Sequence, residues 1–145
     1  MSLDGTYDPD NIFAKILRGD MPSVRVFEDD HVLAFMDVFP QSRGHTLVIP
    51  KHSTARNLLE EEPETLSVLI QGVQRVTRAV RAALEPDGIV VTQFNGSASG
   101  QTIYHLHFHI IPRWEGVPLK GHGVGGMADM EELKALAAEI AAKIS

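Results

Sequence analysis

From His105 to Ile111 the chain reads H-L-H-F-H-I-I, a strict two-residue alternation that suits an extended strand and little else. Side chains on a strand point to opposite faces in turn. His105, His107 and His109 therefore share one face, while Leu106, Phe108 and Ile110 share the other. Successive histidines then stand roughly 6.6–6.8 Å apart. The apolar face ties the strand to a core. The opposite face presents a row of imidazoles, and each neutral ring carries a donor and an acceptor that are costly to bury unpaired. The pattern predicts a strand over residues 103–112 whose histidine face lines a polar cleft.

The rest of the chain supplies elements of both kinds. Residues 11–19, NIFAKILRG, form a short helix with Ile12, Phe13 and Ile16 on one face, Asp10 as its cap and Gly19 as its stop. Strands are expected at residues 24–27, 31–36, 45–50 and 89–94, the first two joined by a turn at Glu28-Asp29-Asp30. Over residues 63–84, Leu66, Leu69, Ile70, Val73, Val76 and Val80 recur three or four apart with the acidic end first, the mark of an amphipathic helix. A second long helix follows Asp129, with Glu132 placed as in a capping box and Leu133, Leu136, Ala137, Ile140 and Ile144 as its apolar stripe. Strands separated mostly by turns, with one long helix inserted, predict an α+β fold. Its parts are a five-stranded antiparallel sheet, one long central helix, a short N-terminal helix and a C-terminal helix.

A chain of 145 residues fits one domain with a real core. Residues 1–10 read as a lead-in open to disorder, with neither a basic n-region nor an apolar h-region. No apolar run is long enough to span a membrane. The chain has no cysteine, which excludes disulfides and thiolate chemistry and makes a reducing, cytoplasmic setting the default. A formal charge of −6 argues against general nucleic-acid binding, yet a single phosphate can still be held locally by backbone N–H groups and neutral donors.

Two chemistries suit the histidine row. Alternate imidazoles could share a metal ion. Alternatively, one neutral ring attacks an electrophile while its neighbours donate to the developing negative charge. The flanking sequence favours the second. Just upstream lies N-G-S-A-S-G-Q-T, residues 95–102, small and rich in neutral donors, which lets a phosphate approach the backbone closely. No carboxylate lies between Asp87 and Glu115 to complete a catalytic zinc site.

The string GQTIYHLHFHIIPR resembles the signature of the histidine triad family, His-φ-His-φ-His-φ-φ with φ apolar. A second block, IFAKILRGDMPSVRVFEDDHVLAFMDVFPQSRGHTLVIPKHS, is similar to the N-terminal half of its Hint-like nucleoside phosphoramidase branch. The resemblance covers about residues 11–114, which would be the family's domain, and leaves 115–145 as a C-terminal loop and helix. It implies that His107 is the nucleophile on a nucleotide α-phosphorus, forming a nucleotidyl-histidine that water resolves. It also implies that His105 orients His107, that His109 contacts phosphate oxygens and that His45 stands beside the triad. Asn95, Gln101 and Thr102 match phosphate-loop positions, and Asp37 matches the residue that binds ribose hydroxyls. Ile12, Phe13, Phe35 and Val38 match an apolar base pocket. The implied activity is a purine nucleoside phosphoramidase in a homodimer. The alternatives are a dinucleoside polyphosphate hydrolase or a nucleotide-binding regulatory module with vestigial catalysis.

Many members of the family carry a structural zinc on a Cys-x-x-Cys, a histidine after the Pro-Lys turn and one triad histidine. Here the cysteine positions hold Asn11 and Ala14, although His52 remains, so no structural zinc and no catalytic cofactor are expected. Residues 121–126, GHGVGG, satisfy G-x-G-x-x-G formally, but Pro118 and Lys120 precede them in place of a strand; they read as a loop near the site.

Overall fold

In the computed structural model, which describes residues 2–121 and 126–145, the first helix is capped one residue later than expected. The Asn11 side chain, not that of Asp10, accepts from the amides of Phe13 and Ala14 at 3.0 Å each. Helix α1 (Ile12–Arg18) then ends at Gly19, whose φ of 84° is the left-handed stop that glycine allows. Five strands follow the expected order: β1 (Arg25–Glu28), β2 (Val32–Met36), β3 (Thr46–Pro50), β4 (Gly88–Thr92) and β5 (Phe108–Arg113). They form one antiparallel sheet, ordered β1-β2-β3-β5-β4. The long helix α2 (Pro63–Leu84) occupies its expected span, and α3 (Met130–Ala141) follows Asp129, whose carboxylate accepts from the Glu132 amide at 3.0 Å. The expected α+β architecture is the observed one. Among the described residues no helix is long and apolar enough to cross a membrane. The glycine-rich stretch read as a loop near the site falls mostly on residues 122–125, outside the described residues.

The sheet divides two apolar clusters. On one side Val32, Ala34, Met36, Val48 and Ile110 pack against Leu69, Val73, Val76 and Val80 of α2 and against Leu133, Leu136 and Ile140 of α3. The extension beyond the recognised motifs is thus part of the same core. On the other side Leu33, Phe35, Leu47 and Ile49 meet Phe13 and Ile16 of α1. Ile70, placed on the buried stripe by its spacing, is 48% exposed because it lies on the flank of the arc that reaches the sheet.

The largest departure lies in the histidine segment. Regular pairing with β3 begins at Val48 with Phe108, so His105 and His107 precede β5. The Leu106 amide donates to the Ala55 carbonyl at 3.0 Å instead of joining the ladder, and this draws the chain away from β3. The histidines do not line an open cleft: His105, His107 and His109 are all buried.

The β2–β3 connection turns at Gly44, where φ is 88° and an added Cβ would lie 2.4 Å from Leu84 Cδ1 and 3.3 Å from Pro112 Cγ. Gly44→Ala combines left-handed strain with overpacking and should lose about 2–3 kcal/mol in urea unfolding. Gly19→Ala, with φ at 84° but nothing within 4 Å of the new Cβ, should lose only about 1 kcal/mol.

Candidate active site

His105 is fully buried, and both of its ring nitrogens are engaged. The Pro50 carbonyl, which can only accept, lies 3.2 Å from Nε2, so Nε2 carries the proton. Nδ1 is then the acceptor, 2.8 Å from the Tyr7 hydroxyl, which donates to it. Burial holds the His105 pKa below its usual value, against the opposing pull of the Pro50 carbonyl and the Glu61 charge. The ring is neutral in a single tautomer.

The His105 carbonyl sets the next ring. His107 Nδ1 lies 2.7 Å from it and must donate, so in the neutral ring the lone pair belongs to Nε2. Phe13 packs edge-on against the His107 ring, with centroids 4.9 Å apart, and His109 flanks it at the same separation.

A second chain of bonds orients His109. The Gln41 amide donates to His45 Nδ1 at 3.0 Å, which leaves the proton of neutral His45 on Nε2. That nitrogen stands 2.9 Å from His109 Nδ1 and donates to it, so neutral His109 carries its own proton on Nε2. A lone pair on one ring thus stands beside an N–H on the next. Asp37 is buried at the end of β2; one of its oxygens accepts from the Phe39 amide at 2.8 Å, and the other lies 3.5 Å from His45 Nε2. Gln41 is itself fastened to the segment after β5. Lys120 donates its amide to the Gln41 carbonyl at 3.0 Å, and the Gln41 side chain donates to the Lys120 carbonyl at 3.2 Å.

The residues matched to a phosphate loop divide in their use. The Gln101 side chain is buried and holds the loop together: Oε1 accepts from the Gly96 amide at 2.8 Å, while Nε2 donates to the carbonyls of Arg56 at 2.7 Å and Ile103 at 3.0 Å. It shapes the loop through backbone groups and does not reach outward. Asn95 Oδ1 accepts from the Leu58 amide at 3.0 Å, which turns its NH2 the other way. Thr102 is exposed.

Of the residues matched to the base pocket, Phe13 and Phe35 meet edge to face at 5.4 Å on the histidine side of the sheet. His109 shares a cross-strand row with Phe35 and Leu47. Ile12 is 42% exposed, and Val38 packs against the cluster on the helix side. A cavity of about 580 Å³, lined by Leu84, Trp114, Leu133, Leu136 and Gln41 among others, includes no triad histidine in its wall. Trp114 therefore belongs to the wall between α2 and α3. Tyr7, Gln41 and Phe94, whose ring lies 5.4 Å from that of His109, were not picked out from the sequence. Only Gln41 left a signal, a turn four residues before His45.

Among the described residues one group brings cation-ligand atoms together: Asp37, His45 and His109, within 4.8 Å of one another. A cation there would replace the hydrogen bond between the two rings. The residues at the family's structural zinc position do not fit that ion. Asn11 Oδ1 caps α1, Ala14 is buried without a ligand atom, His52 is exposed and both nitrogens of His105 are engaged.

Residues 18–116 match the HIT domain family model. The chain is 43% identical over 116 residues to Protein hit of Bacillus subtilis, covering 80% of this chain and 77% of that one. It is 40% identical over 138 residues to the adenosine 5′-monophosphoramidase hnt1 of Schizosaccharomyces pombe, covering 92% and 97%. A crystal structure of a Hit-like protein involved in cell-cycle regulation from Bartonella henselae, with an unknown ligand, superposes with a TM-score of 0.90 at 52% identity, covering 96% and 99%.

Neutral, buried His105 has a sign-definite effect on stability. The unfolded chain takes up a proton near the usual histidine pKa of about 6.5, and the folded chain resists doing so. Its contribution is therefore present above that pH and is lost as the pH falls below it, by up to about 1.4 kcal/mol per pH unit. Urea unfolding at pH 7 and pH 5 should show this slope, and His105→Asn should flatten it.

Proposed function

The chain belongs to the HIT domain family, and on that premise we propose that it is a nucleotide hydrolase in which His107 attacks the α-phosphorus of a purine nucleoside phosphoramidate. The observation that carries this reading is the 2.7 Å bond from His107 Nδ1–H to the His105 carbonyl, because it leaves the lone pair on Nε2. In the first step a bond forms between Nε2 and phosphorus while the P–N bond of the substrate breaks. The amine leaves with a proton taken from solvent. As the ring gains positive charge, its bond to the carbonyl becomes charge-assisted, so that the interaction is stronger in the transition state than before it. In this reading His109 Nε2–H, fixed as a donor through His45, meets negative charge on a phosphoryl oxygen. In the second step water attacks phosphorus, the P–Nε2 bond breaks, and the nucleoside monophosphate and a proton are released. Splitting one displacement into two easier ones is the gain from a covalent intermediate.

In this reading Asp37 takes the ribose hydroxyls, Asn95 and Thr102 with the loop amides take the phosphate, and Phe13, Phe35 and Ile12 take the base. No metal is assigned a step. The high coverage of the yeast phosphoramidase supports an amine as the leaving group. We also read the chain as a homodimer. The edge strand β4 exposes Val90 and Val91, and α2 exposes Ile70, which gives a partner copy both an open ladder and apolar side chains.

In chelator, native protein should release AMP from adenosine 5′-phosphoramidate, and His107→Ala should lower kcat by about three orders of magnitude or more. Acid-stable counts aside, rapid quench of the native reaction should trap labelled nucleotide on the protein, and the variant should trap none. Equal turnover by the variant would end the assignment of the nucleophile. Sedimentation at micromolar concentration should give twice the 15.9 kDa of one chain; a single-chain mass would remove the dimer.

A further inference from the structure

Tyr7 lies in the polar lead-in, outside every recognised motif, yet this segment is fastened to the domain at several points. The Ser2 hydroxyl accepts from the Ser97 amide at 2.7 Å. The Leu3 carbonyl accepts from the Asn57 side chain at 3.3 Å and from the Arg56 guanidinium at 3.4 Å. Beyond these anchors the Tyr7 ring tilts against His105, with centroids 5.8 Å apart, and its hydroxyl meets Nδ1. His105 thus has an acceptor on one side and a donor on the other, and its carbonyl receives the proton of His107.

We propose that Tyr7 is a positioning residue: by donating to His105 Nδ1 it holds the His105 ring and peptide in the orientation whose carbonyl fixes His107 with its lone pair on Nε2. This rests on the reading of His107 as nucleophile. The hydroxyl faces His105 and not the reacting atoms, so its effect is transmitted. Without it, a fully buried nitrogen loses its donor, and the ring gains by turning toward another; proton exchange alone is no remedy, because it would set the Nε2 lone pair against the Pro50 carbonyl. That turn moves the peptide on which His107 depends. A hydrogen bond from the N-terminal segment thereby holds a triad histidine in a chain whose zinc-ligand positions read Asn11 and Ala14.

Tyr7→Phe removes the hydroxyl and keeps the ring. In full-length protein with labelled imidazoles, long-range proton–nitrogen spectra should show His107 as one Nδ1–H tautomer in the native chain and as a mixture in the variant. The variant's kcat should fall about tenfold, the size of one lost hydrogen bond, with KM within about twofold. Adding Tyr7→Phe to His105→Asn should lower kcat no further. Unchanged kcat, an effect on KM alone, or an unaltered His107 tautomer would overturn the proposal. If the variant does not fold, the native spectrum decides, because a proton on His105 Nδ1 overturns it as well. Failure of the nucleophile reading looks different: the native chain would form no adduct at His107, while the spectra would still report the link from Tyr7.

Discussion

Four imidazoles, those of His45, His105, His107 and His109, are buried close together, and their ring nitrogens must find partners other than bulk water. This constraint shapes the surroundings. Carbonyls that can only accept stand at His105 and His107, and an amide that can only donate stands at His45. Each such group settles one proton, and the proton settled on His45 dictates that of His109. The outcome is one arrangement of hydrogens across the group, strengthened by the low local dielectric and set chiefly by backbone dipoles. Backbone groups cannot turn away as side chains can, so the arrangement is as rigid as the loops and strand ends that carry it.

The sheet makes this burial possible. Its helix side is closed by α2 and α3, while α1 and the N-terminal segment pack on the other side, against the triad. Phe13 serves both purposes, filling the smaller cluster and abutting the His107 ring. The C-terminal segment also reaches the histidines, because Lys120 clasps Gln41 and Gln41 holds His45. Residues far from the motif thus bear on the direction of its N–H groups.

Periodic features were legible in the sequence because their cause is local. The long helix keeps its expected span, with Pro63 at its start and Pro86 just beyond its end. Alternation holds in β5 from Phe108 onward, where a neighbouring strand enforces it. It fails at His105 and His107 because their polar partners outweigh the ladder. Asp10 and Asn11 are both good caps, and side-chain chemistry alone does not choose between them. The sequence puts Gln101 in a stretch of small and polar residues, but its inward turn depends on carbonyls at positions 56 and 103. Tyr7 had no local signature, since its partner lies 98 positions away.

The strand order carries a consequence for how the chain assembles. β3 sits in the middle of the sheet, yet its second neighbour is β5, which begins almost sixty residues later, after α2 and β4. While the chain emerges during synthesis, β1, β2 and β3 can pair by short hairpins, but β3 keeps an open edge until residue 108 has been made. Its side chains Val48 and Ile49 are fully buried in the finished domain. The nascent protein therefore passes through a stage in which a sticky apolar strand awaits its partner, and the segment that ends this exposure is the one that brings the histidines.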